Sequence, residues 1–152
     1  MIKRATHLVF LFILPFQLWA SYDIKNAYPE PKLKPNDVVR LQLLAMQQND
    51  DSNFGIEVTF RFASPANKKQ TGPLWRFIRL VQNPSYSPLL NHLNATFLEL
   101  NLENNFAIQD VIITTSKGKR IGYRFRLSIQ KGPLYPECWM TDSVIPFKPM
   151  EV

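Results

Sequence analysis

One change of rhythm constrains this chain more than any other feature. From residue 38 to residue 81 apolar side chains recur mainly at helical spacing, whereas from residue 96 onward they alternate. A repeat near 3.6 sets one stripe of a helix against a core, and a repeat of 2 does the same for one face of a strand. Helices first and strands afterwards predict an α+β domain: N-terminal helices packed on a curled four-stranded antiparallel sheet, cone-like in arrangement. A cone holds a cavity at its wide end unless side chains fill it.

The helical half is readable in pieces. Asn36 is placed to cap a first helix, with Asp37 near the positive helix end. Val38, Leu41 and Ala45 recur on one stripe and Val39, Leu43 and Met46 on the next, which predicts a largely buried helix. The polar run 47–53 ends it. Residues 54–62 satisfy both periods. Ile56, Val58, Phe60 and Phe62 alternate as in a strand, while Val58, Arg61 and Phe62 share a helical face. Ser64-Pro65 reads as a capped single turn, and Thr71-Gly72-Pro73 repeats the device, because proline's fixed φ suits a first helical position. Leu74, Phe77, Ile78 and Val81 make an amphipathic helix closed by Asn83-Pro84, and residues 86–90 form a short turn around Pro88.

In the strand half, residues 96–102 place Leu98, Leu100 and Leu102 on one face. After an Asn104-Asn105 turn, residues 106–115 set Phe106, Ile108, Asp110 and Ile112 against Ala107, Gln109, Val111 and Ile113. Gly118 supplies a hairpin turn. Residues 120–130 then alternate Ile121, Tyr123, Phe125, Leu127 and Ile129 with Arg120, Arg124, Arg126 and Ser128, one face for the core and one for water. Lys131-Gly132-Pro133 turns again into a last strand over 138–147.

The ends of this pattern set the domain limits. Met1-Ile2-Lys3-Arg4, an apolar run from Leu8 to Trp19, and the small residue Ala20 have the order of a secretory signal peptide. Residues 1–20 are therefore expected to be removed near Ala20, giving an exported (periplasmic or secreted) protein. An uncleaved N-terminal membrane anchor is the alternative, since Leu18 stands where cleavage favours a small residue. Residues 21–35, with Pro29, Pro31 and Pro35, predict an extended arm, and residues 36–148 a single domain.

Loss of Lys3 and Arg4 takes the formal charge from +6 to +4, leaving 16 basic and 12 acidic side chains. The bases are scattered rather than gathered on one face, which argues against nucleic acid as a partner. Cys138 is the sole cysteine, so there is no internal disulfide and no cysteine-based metal site; its strand-like setting predicts burial as a small hydrophobe.

Few residues offer chemistry, and each has an ordinary use. Asp50 and Asp51 are adjacent carboxylates in a polar loop, where Asp51 could cap the segment after it. Asp110 interrupts an apolar strand. Facing a cavity it would be a general base, and facing outward it would pair with Arg124 or Arg126. His92, the one histidine after the leader, falls short of a metal site or a triad and reads as solvent-facing or locally hydrogen-bonded. Tyr86, Trp75, Tyr123 and Trp139 would line a pocket for a flat apolar ligand or simply pack the core. Asn94-Ala95-Thr96 is a glycosylation sequon. No phosphate loop, dinucleotide fingerprint, zinc signature or nucleophile elbow occurs, so no cofactor or metal is implied.

Gln47-Gln48-Asn49-Asp50-Asp51, Gly55-Ile56, the run Phe62-Ala63-Ser64-Pro65-Ala66-Asn67-Lys68, Thr71-Gly72-Pro73, Phe77, Pro84-Ser85-Tyr86 and Cys138-Trp139-Met140 occur in a fixed order. Together they resemble an uncharacterised family known only as a domain of unknown function, over residues 38–147. The family resembles the cystatin-like, nuclear-transport-factor-like cone fold, and the resemblance favours a helical reading of residues 54–62. It implies no activity.

Three functional expectations follow. The first is a small exported non-enzymatic module that binds a small apolar ligand or a protein, with Ser64, Asn67, Thr71 and Tyr86 as the polar groups at the rim of the cone. The second is a cavity enzyme of the isomerase, dehydratase or hydrolase type, with Asp51 or Asp110 as base and Tyr86 or Tyr123 as donor. The third is a homodimer through the open sheet face, with the Arg120, Arg124 and Arg126 row at or beside the interface. For residues 62–77 themselves, architecture is the expected job: two helix starts in succession that fix the rim.

Overall fold

Residues 23–150 are described by a computed structural model; the signal-peptide, cleavage and anchor readings fall on residues 1–22 and lie outside the described residues. Among the described residues no helix is long and apolar enough to cross a membrane. The chain is α+β, as its periods predict. Four helices, α1 (Pro35–Gln47), α2 (Phe54–Arg61), α3 (Pro65–Thr71) and α4 (Leu74–Val81), precede four strands, β1 (Asn94–Glu103), β2 (Phe106–Thr114), β3 (Arg120–Ile129) and β4 (Trp139–Phe147). The strands form one antiparallel meander in the order β1-β2-β3-β4.

Helix α1 starts two residues earlier than expected. Pro35 takes the first helical position, Lys34 is the N-cap, and the Lys34 backbone N–H donates to Asp37 Oδ2 at 3.0 Å. Asn36 therefore lies inside the helix. Within residues 54–62 the helix runs Phe54–Arg61 with Phe62 as its C-cap, and the N-cap of α2 is Asn53 in a left-handed conformation, φ 60°. Asp51 does not cap it. Asn49 does the work from six residues upstream, its Oδ1 accepting from the backbone N–H of Gly55 and Ile56. Gly55 is where α2 crosses α1, since a β-carbon there would collide with the Ala45 carbonyl.

The expected single turn at Ser64-Pro65 is a two-turn helix, with Ser64 Oγ accepting from the Asn67 N–H at 3.2 Å. Pro73 is the N-cap of α4 rather than its first residue, and the Gly72–Pro73 peptide is cis. The segment expected as an extended arm is tied to the domain. It makes a 3-10 turn at Ile24–Asn26 and buries Ile24 and Ala27 in the main core. Arg61 fastens it by donating to the Lys25 carbonyl at 2.7 Å and to the Ala27 carbonyl at 3.3 Å, with its guanidinium over the Tyr28 ring.

One face of the sheet carries Ala107, Val111, Ile113, Tyr123, Phe125 and Leu127 into the core, against Val38, Val39, Met46, Ile56 and Val58 of α1 and α2. Two register shifts bend it. The first lies between Phe97 and Leu100 of β1, and the second sets Ser143 opposite Arg126 but Thr141 opposite Leu127 on β4. Bulges bend their strand and sharpen its twist, the local source of the curled, cone-like sheet. The β1 bulge also overturns the expected Leu98, Leu100, Leu102 face. Phe97 and Leu100 turn inward, Leu98 is exposed, and buried Gln109 donates its side-chain N–H to the stranded Leu98 carbonyl at 2.8 Å.

The free edge of β4 meets residues 62–64. Thr141 N–H donates to the Phe62 carbonyl and Ser64 N–H to the Thr141 carbonyl, both at 2.9 Å, with Ala63 bridged in parallel to Thr141. An uncovered edge is a row of unpaired donors and acceptors. The Phe62-Ala63-Ser64 run covers part of this one, and all three residues are buried.

Candidate functional site

A partly enclosed space lies between α3–α4 and β4. It is a cavity of about 180 Å³ whose apolar walls are Met46, Phe77, Leu80, Leu89, Phe125 and Val144. These residues come from the helical stripe and from the inward-facing strand positions, so the periodicity that builds the core also builds the wall.

Its polar wall is a chain of buried hydrogen bonds. Thr141 Oγ1 donates to Gln42 Oε1 at 2.8 Å, Gln42 Nε2 donates to the Thr59 carbonyl at 3.1 Å, and Thr59 Oγ1 donates to the Gly55 carbonyl at 2.8 Å. Among the described residues no buried side-chain polar atom lacks a partner. A satisfied network of this kind fixes one geometry, whereas a broken one leaves costly orphans.

Three of the four expected rim residues, Asn67, Thr71 and Tyr86, line this cavity. Ser64 does not, since it is buried as the α3 cap. Each of the three also has a structural duty. Asn67 Nδ2 donates to the Thr141 carbonyl at 3.0 Å, Thr71 Oγ1 to the Asn67 carbonyl at 3.0 Å, and the Tyr86 hydroxyl to the Val144 carbonyl at 3.0 Å. The rim is thus pinned to β4.

The alternative catalytic set is not assembled. Asp51 is exposed in the α1–α2 loop. Asp110 lies on the outer face of the sheet, opposite Arg124 in the ladder, and accepts from Arg124 Nε at 2.8 Å and Nη2 at 2.7 Å. That carboxylate in turn raises the Arg124 pKa. Tyr123 is buried, and its hydroxyl donates to the Ser85 carbonyl at 2.8 Å. Burial, with Tyr86 beside it, pushes its pKa up to about 12. Neither Asp51 nor Asp110 lines the cavity.

The remaining candidates are structural. Asp50 accepts from the Ser52 hydroxyl and N–H, which lowers its pKa. His92 is buried, with Nδ1 2.8 Å from the Leu89 carbonyl, and burial lowers its pKa. Cys138 is buried, its thiol pKa raised chiefly by burial and then by Glu30 and Glu137. Trp75 is 59% exposed, while Trp139 packs against the core. No group of three or more metal-ligating side chains occurs among the described residues.

Sequence reasoning missed Gln42, Thr141 and Asp142, all of which line the cavity. The signal was present as polar residues interrupting apolar runs: Gln42 inside the helical stripe, and Thr141-Asp142-Ser143 inside the last strand. A second, wider space of about 750 Å³ is an open groove between Ser85, Ile121 and the C-terminal residues 146–150, with Lys119, Arg120 and Lys148 at its margin.

No curated protein and no solved structure matches this chain. Residues 30–145 match one family across both the helices and the sheet, and the chain belongs to that family, a domain of unknown function (DUF4864).

Proposed function

We propose that this protein is a small exported binding module of the cystatin-like, nuclear-transport-factor-like cone class, with its ligand site in the cavity between α3–α4 and β4. The observation that carries the reading is the cavity itself: apolar walls drawn from the core, and a polar wall whose hydrogen bonds are already complete. Helices packed on one face of a curled meander support the cone class, and the leader-like order of residues 1–20 supports export. Asp51 and Asp110, the carboxylates expected as bases, lie outside this space, and the Tyr86 hydroxyl is engaged by the Val144 carbonyl, which supports binding over catalysis.

The size selects the ligand. Drug-sized molecules need roughly 300–1,000 Å³, whereas an apolar cavity near 150 Å³ takes benzene. A ring-sized apolar molecule is the expected occupant. Toluene titrated into ¹³C-methyl-labelled protein is expected to shift Met46, Leu80 and Val144, and a cavity-filling Val81→Phe variant to abolish the response. Unmoved methyls at saturating toluene would refute the site.

A second reading is a homodimer through the outer sheet face. Phe106, 65% exposed, and Ile145, 44% exposed, flank the Arg124–Asp110 pair there. Sedimentation returning a monomer at high concentration removes it.

A further inference from the structure

The cavity carries one charged side chain, and the fold makes no use of it. Asp142 is the extra residue of the β4 bulge: Ser143 stands opposite Arg126 and Thr141 opposite Leu127, so Asp142 has no counterpart on β3. Bulges re-aim side chains, often beside a binding site. Asp142 is partly buried and lines the cavity. Among the described residues its carboxylate makes no ion pair and accepts no hydrogen bond.

Every buried side-chain polar atom among the described residues has a partner, so the Asp142 oxygens keep contact with water and the carboxylate stands as a hydrated, unneutralised charge in the cavity lining. The basic residues of the neighbouring elements do not supply the partner. Lys68 of α3 donates to the Arg61 carbonyl at 3.1 Å and sits over the Phe60 and Tyr135 rings. Arg126, across the ladder from Ser143, makes no ion pair. Every other lining residue is uncharged. A protein with a basic net charge therefore presents a cavity whose one charged lining residue is acidic.

We infer that the cavity takes a small amphiphile with a ring-sized apolar body and a cationic amine head. The body sits among Phe77, Leu80, Phe125 and Val144, and the ammonium group meets Asp142. This rests on the cavity being the ligand site. An anionic head would face like charge, and a neutral ligand would leave the carboxylate unpaired. A charge-assisted hydrogen bond is roughly twice as strong as a neutral one, which sets the expected preference.

Three probes of one shape separate the terms: benzylamine, toluene and benzoate, titrated by NMR into the full chain at neutral pH. Benzylamine is expected to bind at least tenfold more tightly than toluene, and benzoate not at all. Asp142→Asn is expected to weaken benzylamine about tenfold and leave toluene unchanged, with Asp142→Ser as a second variant should the first fold poorly. Equal affinities for benzylamine and toluene, or equal losses for both in the variants, would overturn the amine inference while leaving the cavity reading intact. Failure of all three probes would overturn the cavity reading and the inference with it.

Discussion

Thr141 gives its hydroxyl hydrogen to Gln42 Oε1 at 2.8 Å, across 99 residues of chain, and both side chains are only 1% exposed. The bond ties the first helix to the last strand and forms the polar wall of the cavity. Thr141→Val keeps the shape and removes the donor, leaving Gln42 Oε1 buried without a partner. The expected loss is about 1–3 kcal/mol in urea unfolding. Adding Gln42→Met removes the orphan and is expected to recover part of that loss. Strict additivity of the two substitutions would show that the pair is not coupled.

Gly55→Ala tests the α1–α2 crossing. The added carbon meets the Ala45 carbonyl, a backbone atom that moves only with its helix. Overpacking of this kind costs about 1–3 kcal/mol. Gly132→Ala, where a β-carbon meets nothing within 4 Å, is the control and is expected to be near neutral. Thermal unfolding of the two variants side by side decides the point.

The acid side of the stability profile is expected to slope because of His92. Burial holds its folded-state pKa below the ordinary 6.5, and the bond to the Leu89 carbonyl offsets that in part. Below about pH 6.5 the unfolded chain takes up a proton that the folded chain refuses, so stability falls as pH drops through this window until the folded-state pKa is reached. His92→Asn keeps a donor for the Leu89 carbonyl and removes the titration. Unfolding midpoints between pH 4.5 and 7.5 are expected to fall less steeply in the variant. Parallel profiles would remove His92 as the cause.

Arg61→Gln is expected to loosen the N-terminal segment. The guanidinium holds the Lys25 and Ala27 carbonyls, pairs with Glu57 at 2.8 Å and covers Tyr28. Hydrogen exchange at residues 24–30 should rise severalfold while β2 and β3 stay protected, since local opening draws on local contacts. Unchanged exchange in that segment would show that burial of Ile24 and Ala27 holds it unaided.

Element type and facing were legible because they depend on neighbours a few positions apart. The alternation from Arg120 to Ile129 names the core face of β3 correctly, and the Leu74, Phe77, Ile78, Val81 stripe names α4. Capping failed where a competing residue stood near. Pro35 claimed the first turn ahead of Asn36, and Asn49 reached the α2 start that Asp51 was expected to cap. The strand face of Leu98 failed because a bulge shifts the period by one residue, and no composition signal marks it.

Sequence by itself settled the order of helices before strands, the α+β class and the core face of β3. These follow from side-chain period and turn chemistry, which act over a single turn or pleat. Tertiary structure decided the rest. It set the Phe62-Ala63-Ser64 run on the edge of β4, joined Gln42 to Thr141, sent Asp110 outward to Arg124, and left Asp142 unpaired at the cavity. Each of those outcomes depends on the register between segments distant in the chain, and register is fixed only when the whole core closes.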